Sequence, residues 1–130
     1  DYFHSLANRE KMKSGLPLTD EDRGPWLQIL NDEIMHLVYN NGGILACSAL
    51  KESYRQILTS EHSLPVRWVY LKGKYDVICA RLNSREGHYM NPVLLQSQFD
   101  ALEEPVYGIT IDIDQSVKEI EAAVLKAVEV

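Results

Sequence analysis

The sequence is poor in several features that define whole classes of protein. Its 130 residues include two cysteines, Cys47 and Cys79, which are too few and too far apart for a disulfide framework or a paired metal-ligand motif. The longest apolar runs are far shorter than the roughly 20 residues that a membrane span needs. The first residues also lack the charged and then apolar pattern of a signal segment. These absences predict a reduced, cytoplasmic protein without a membrane partner.

Basic residues are in the minority, with 13 lysines and arginines against 19 aspartates and glutamates and a formal net charge of −6. Nucleic-acid-binding domains usually carry a basic surplus, so we expect no nucleic-acid partner. The hydrophobic fraction of 45% is too high for a disordered chain. The length suits one domain, and no repeat or Pro/Gly/Ser-rich linker divides it, so we predict a single domain over 1–130.

The spacing of apolar residues predicts an α/β fold. The short apolar run at 44–47 is typical of a strand buried on both faces, and the runs at 66–71 and 107–113 predict two further strands. Between and around them, apolar residues recur at helical spacing. Strands that alternate with amphipathic helices indicate parallel crossovers and a sheet covered by helices. The predicted helices cover 6–13, 20–40, 50–58, 77–82, 91–102 and 116–128.

Ligands of such sheets bind beyond the carboxyl ends of the strands. The turn from Ser48 to Lys51 follows the first predicted strand, and Lys72 and Lys74 follow the second. Any one of these cations can be an ordinary solvated charge, but as a group they favour a phosphorylated or carboxylated ligand. Arg81, Arg85, Gly87 and His88 lie in a polar stretch between two predicted helices, which predicts a mobile lid over phosphates at about 84–92. The alternative for Arg85 is a cap at the C-terminus of its helix.

The first residues carry a second candidate site. The carboxylate of Asp1 could accept a proton from a sugar hydroxyl or hold a metal-bound water, and His4 follows it closely. The alternative for Asp1 is a frayed terminal residue, and its spacing by itself favours that alternative.

Ordered motifs along the whole chain resemble the gluconokinase family. The resemblance is most specific in the Cys-Ser-Ala-Leu-Lys segment at 47–51 and in the Arg-x-Gly-His segment at 85–88. The motifs are, in order, Asp1-x-Phe3-His4, Asn8-x-x-Lys11-Met12-x-x-Gly15-x-Pro17-Leu18, Asp20-x-Asp22-Arg23-x-Pro25-Trp26-Leu27, Cys47-Ser48-Ala49-Leu50-Lys51 with Tyr54-Arg55, Arg81-Leu82 with Arg85-x-Gly87-His88-x-Met90, Leu94-Leu95-x-Ser97-Gln98-Phe99, Leu102-Glu103-x-Pro105, and Asp112-Ile113-Asp114.

This resemblance implies a P-loop kinase of the nucleoside-monophosphate-kinase-like fold, with a parallel sheet flanked by helices. It implies that the protein transfers the γ-phosphoryl group of ATP to D-gluconate and forms 6-phospho-D-gluconate. ATP would be used together with Mg²⁺. A homodimer is a further implication of the family.

The resemblance also implies roles for single residues. Asp1 would lie at the reactive hydroxyl and Arg85 on the phosphates, as the catalytic pair. The substrate pocket would be lined by His4, Arg23, Ser48, Lys51 and Gln98. The nucleotide would be contacted by Arg81, Arg85, Asp114 and Gln115. No residue of the chain is expected to bind the metal directly.

One family feature is absent from the 130 residues. The Gly-x-x-x-x-Gly-Lys-Ser/Thr loop, which supplies the phosphate cradle and a Mg²⁺-binding hydroxyl, does not occur, and Gly73-Lys74 is followed by Tyr75. We therefore expect an N-terminally truncated kinase that lacks its first strand, P-loop and first helix, and little activity from this chain alone. Two alternatives stay open: a related kinase with another sugar-acid substrate such as shikimate, and a non-catalytic truncated product that acts by protein interaction.

Overall fold

The computed structural model describes residues 3–59, 66–85 and 91–129. All six predicted helices and two of the three predicted strands are present there. The elements are α1 (Leu6–Lys13), α2 (Asp20–Tyr39), α3 (Glu52–Thr59), β1 (Val69–Lys72), α4 (Tyr75–Ser84), α5 (Pro92–Ala101), β2 (Ile109–Asp112) and α6 (Val117–Val128).

Polar residues at the helix starts explain where these helices begin. Thr19 accepts a hydrogen bond from the backbone N–H of Asp22, and the Asp22 carboxylate accepts one from the Thr19 N–H, which completes a capping box for α2. Asn91 caps α5 ahead of a proline at its first position, and Ser116 caps α6. The predicted starts of these three helices are confirmed to within one residue.

The strands β1 and β2 form a parallel pair, in register from Val69 opposite Ile109 to Lys72 opposite Asp112. The predicted strand at 44–47 is wrong, because these residues adopt no strand and Ile44 is 96% exposed. A strand persists only where a neighbour satisfies its backbone N–H and C=O groups, and no segment among the described residues pairs with this one.

The described residues cluster into two compact units. The first unit comprises 3–59 and 91–104, and its core is apolar side chains of α2, α3 and α5, namely Trp26, Leu27, Leu30, Ile34, Tyr54, Leu58, Leu94 and Leu95. The second unit comprises 66–85 and 105–129 and contains both strands with α4 and α6. The single domain with a lid stays a prediction, and residues 86–90 of that lid lie outside the described residues.

No helix among the described residues is both long enough and apolar enough to cross a lipid bilayer.

Candidate functional site

A cavity of about 200 Å³ in the first unit brings together three of the predicted substrate-binding residues: His4, Ser48 and Gln98. Its other walls are apolar or carry sulfur, and comprise Phe3, Met12, Trp26, Leu30, Ala46 and Cys47. A small cavity with an apolar floor and a few converging hydrogen-bonding groups is typical of a site for a small polar ligand. We call it the His4 cavity.

A second, shallower depression lies on the exposed side of α5 and contains no predicted site residue. Its volume is about 410 Å³, and it is lined by Pro92, Val93, Gln96, Ser97 and Asp100. All five residues come from one helix, whereas the His4 cavity gathers side chains from four separate segments of the chain. We therefore place the candidate site at the smaller cavity.

His4 is a buried, neutral wall of this cavity. Its ring stacks on Trp26, with centroids 4.4 Å apart and planes inclined by 12°. Burial, and after it nearby positive charges that include those of Arg23 and Arg9, together lower the pKa of His4 to about 4. At neutral pH the imidazole is therefore uncharged and can offer a hydrogen bond without adding charge to the cavity.

The turn that carries Ser48 is held in place by a buried arginine. Arg55, on α3, donates to the carbonyl oxygens of Ala49 and Glu103, both at 2.8 Å. The backbone N–H of Glu103 donates in return to the carbonyl of Leu50 at 2.8 Å. Since Glu103 follows α5, these bonds tie the turn to the helix that carries Gln98. Ala49 adopts a φ of 33°, which most side chains avoid, so the turn needs this support.

The two predicted substrate cations lie together, but not in the lining of the His4 cavity. Arg23 donates to the hydroxyl of Tyr54 at 3.0 Å, and Tyr54 donates to the carboxylate of Asp20. The Lys51 ammonium lies 3.6 Å from that carboxylate. Both cations also lie over the Tyr54 ring, at 5.2 Å for Arg23 and 5.7 Å for Lys51. We call these four residues the Tyr54 cluster.

The electrostatics of the Tyr54 cluster fix its protonation. Burial raises the pKa of Tyr54, and the hydrogen bond to Asp20 raises it further. The same hydrogen bond, together with Lys51, lowers the pKa of Asp20. Tyr54 therefore stays a donor and Asp20 a carboxylate at neutral pH. Sequence reasoning quoted both residues inside family motifs but assigned neither a role, since nothing in their spacing shows that they meet.

In the second unit, two predicted nucleotide-binding residues are in contact. Arg81, on α4, donates to the backbone carbonyl of Gln115 at 2.8 Å. The Gln115 amide donates to the carbonyl of Asp112 at 2.6 Å, and the exposed Asp114 lies between them in the loop after β2. Arg81 thus supports this loop, while Arg85 is exposed at the end of α4.

Two predictions fall outside the described residues. Asp1, the predicted catalytic carboxylate, and residues 86–90 of the predicted lid are not among them. Within 3–59, 66–85 and 91–129, no group of three or more His, Cys, Asp or Glu side chains is placed to hold a metal ion.

The chain is similar over most of its length to gluconokinases. It is 40% identical to the thermoresistant gluconokinase of Escherichia coli K12, over 99% of this chain and 76% of that protein. It is 42% identical to a probable gluconokinase of Mus musculus, over 99% of this chain and 81% of that protein. A gluconokinase of Arabidopsis thaliana is 41% identical, over 85% of this chain and 68% of its own length. No protein-family model matches the chain.

Two solved structures share the fold. A sugar kinase from Janibacter sp. HTCC2649 has a TM-score of 0.85 and 39% identity, over 98% of this chain and 75% of that one. A gluconokinase from Sinorhizobium meliloti 1021 has a TM-score of 0.85 and 36% identity, over 98% of this chain and 73% of that one. The predicted fold class, a parallel sheet flanked by helices as in P-loop kinases, is confirmed.

Proposed function

The chain belongs to the gluconokinase family, and we propose that its His4 cavity binds D-gluconate for phosphorylation by ATP. The reaction transfers the γ-phosphoryl group of ATP to the terminal hydroxyl of D-gluconate and forms ADP and 6-phospho-D-gluconate. One observation carries the placement of the substrate: His4, Ser48 and Gln98 come from distant segments and converge on one small cavity.

These three side chains suit the hydroxyl groups of a sugar acid. The neutral imidazole of His4, the hydroxyl of Ser48 and the amide of Gln98 can each donate or accept a hydrogen bond without a net charge. Trp26 and Leu30 give the cavity an apolar floor, which the C–H edge of an extended polyol can cover. Because the cavity is small and partly apolar, each buried hydroxyl that is left unpaired would weaken binding.

We assign the carboxylate of the substrate to the cations of the Tyr54 cluster. Lys51 follows Ser48 by three residues and its only described ion-pair partner is Asp20, at the long distance of 3.6 Å. A substrate carboxylate can therefore compete with Asp20 for Lys51. Arg23 donates to Tyr54 and Leu18, so it would contribute mainly by its charge. The same charge helps to lower the pKa of His4.

The reacting hydroxyl oxygen forms a bond to the γ-phosphorus, the bond from that phosphorus to the leaving oxygen of ADP breaks, and the hydroxyl proton passes to a base. We assign the role of that base to Asp1. Arg85 would stabilise the negative charge on the phosphoryl group during transfer. Arg81, Asp114 and Gln115 would contact the nucleotide. Mg²⁺ would be bound with the ATP phosphates. A cytoplasmic homodimer is proposed from the family.

The assignment is tested by isothermal titration of D-gluconate into the wild type and two variants. We expect Gln98→Leu to weaken binding by roughly tenfold, because an apolar side chain of similar size leaves a substrate hydroxyl unpaired. Gln96→Leu is the matched control, since Gln96 is on the same helix but is exposed and bonded to Asp100. Equal affinities in both variants would place the substrate elsewhere. Shikimate, titrated in parallel, should bind more weakly than D-gluconate.

A further inference from the structure

Asn8 makes an unusual pair with His4. It is 8% exposed, and its side-chain amide nitrogen donates to the backbone carbonyl of Asp22 at 2.8 Å. The same nitrogen lies 3.5 Å from Nδ1 of His4, the long end of a hydrogen bond. Neither the assigned substrate contacts nor the helix caps require this side chain to be an amide.

The contact to Asp22 fixes which way the Asn8 amide faces. If the amide were flipped, its oxygen would face the carbonyl oxygen of Asp22 and neither would have a donor. In the bonded orientation, the second N–H of Asn8 is the group that faces Nδ1 of His4. If Nδ1 carried a proton, two N–H donors would face each other and no hydrogen bond could form. Nδ1 must therefore present its lone pair to Asn8.

In a neutral imidazole, a lone pair on Nδ1 leaves the proton on Nε2. The described residues offer Nε2 no hydrogen-bond partner, and the ring lines the His4 cavity. The stacking on Trp26 limits rotation of the ring plane. Together these contacts leave one defined donor for a ligand in the cavity.

We infer that Asn8 is a positioning residue that holds His4 as the Nε2–H tautomer, so that the cavity presents a neutral N–H donor to a hydroxyl oxygen of the substrate. The substrate half of this inference rests on the proposed function. The tautomer half rests on the geometry of Asn8, Asp22 and His4 alone. The consequence is a preference for ligands with an accepting oxygen at this point over analogues in which that hydroxyl is replaced by hydrogen.

The chain contains a matched control for this pair. Asn40 donates to the backbone carbonyl of His36 at 2.7 Å, and its amide nitrogen lies 3.4 Å from Nδ1 of His36. The spacing of four residues is the same, but both residues are exposed, so water competes for the histidine. Asn40→Asp therefore repeats the chemical change of Asn8→Asp outside the cavity.

Long-range ¹H–¹⁵N correlation spectra of the ¹⁵N-labelled chain distinguish the two tautomers and the imidazolium. In the wild type at pH 7.5 we expect His4 to show the Nε2–H form, with a smaller share of Nδ1–H than His36. Asn8→Asp should move His4 to the Nδ1–H form or the imidazolium, because a carboxylate accepts a proton-bearing Nδ1. Asn8→Ala, which adds no charge, should give a mixture of tautomers. Asn40→Asp should leave His4 unchanged.

Titration with D-gluconate distinguishes the tautomer half of the inference from its substrate half. We expect D-gluconate to shift the His4 resonances of the wild type and to bind Asn8→Asp about three- to tenfold more weakly. A wild-type His4 in the Nδ1–H form, or a His4 that keeps its tautomer in both Asn8 variants, overturns the role of Asn8. If the His4 tautomer changes as expected in the Asn8 variants but D-gluconate does not shift the His4 resonances, the substrate assignment is overturned instead.

Discussion

At the scale of the residue, the chemistry of the candidate site depends on a histidine that is kept neutral. His4 is buried against Trp26 and surrounded by positive charge, which makes its protonated form unfavourable. A histidine in water would be partly charged near neutral pH. A charged His4 would attract a substrate carboxylate, whereas the neutral ring can select a hydroxyl. The site thus places positive charge at Lys51 and Arg23 and a neutral donor at His4.

The depressed pKa of His4 predicts how stability depends on pH. The pKa is about 4 in the folded state and about 6.5 in the unfolded chain, so between these values the unfolded state binds more protons. The free energy of unfolding should therefore be highest above pH 6.5 and fall as the pH drops towards 4. We expect His4 to account for roughly 2 kcal/mol of this loss, after allowance for solvent screening.

The check is thermal or urea unfolding of wild type and His4→Gln between pH 7.5 and 4.5. Glutamine does not titrate, so the variant should lose less stability than the wild type over this range. His36→Gln, on the exposed face of α2, is the control and should follow the wild type. Parallel losses in His4→Gln and wild type would show that His4 is not the group responsible.

At the scale of the element, the short helix α3 holds the turn that precedes it. Arg55 is 5% exposed and bonds the carbonyls of Ala49, Leu50 and Glu103, as well as the carboxylate of Glu52. Arginine is suited to this role, because its planar guanidinium offers five donors in a fixed arrangement. The turn from Ser48 to Lys51 therefore owes its position to a side chain outside it, and so do the site residues that it carries.

Replacing Arg55 should lower both the stability of the chain and its affinity for D-gluconate. We expect Arg55→Lys to lower the free energy of unfolding by at least about 2 kcal/mol, because an ammonium cannot reach all of these carbonyls and leaves some of them buried and unpaired. D-gluconate affinity should fall as well, since Ser48 and Lys51 lose their support. The measurements are urea unfolding and calorimetric titration.

Arg67→Lys is the matched control for this change. Arg67 is exposed and donates to the carbonyl of Val128 at 3.1 Å, so its replacement should change stability by less than about 0.5 kcal/mol. An Arg55→Lys variant as stable as Arg67→Lys would contradict the role of Arg55.

At the scale of the whole molecule, the 130 residues contain the proposed sugar-acid site but not a phosphate-binding loop. The chain spans 76% and 81% of two of its gluconokinase relatives, and it contains no Gly-x-x-x-x-Gly-Lys-Ser/Thr motif. That loop supplies the backbone donors and the lysine that hold the transferring phosphates. Substrate binding and phosphoryl transfer should therefore be separable in this chain.

A coupled ADP-release assay tests this separation. We expect D-gluconate to bind the 130-residue chain and to raise its melting temperature, as any ligand specific for the folded state does. The same chain should release ADP no faster than the background without protein. Circular dichroism before the assay establishes that the chain is folded. Robust D-gluconate-dependent turnover would contradict the expectation that this chain is inactive.

The sequence by itself determined the helices and their starts, the α/β class with parallel crossovers, and the gluconokinase family. These depend on local periodicity, on side chains within three residues of a helix start, and on ordered motifs, all of which are visible along the chain. Only the tertiary structure decided that 44–47 forms no strand, because a strand depends on a partner elsewhere. It also decided that Arg23 and Lys51 meet at Tyr54, and that His4 is neutral and held by Asn8. Burial and partners set these properties, and both come from residues that are distant in sequence.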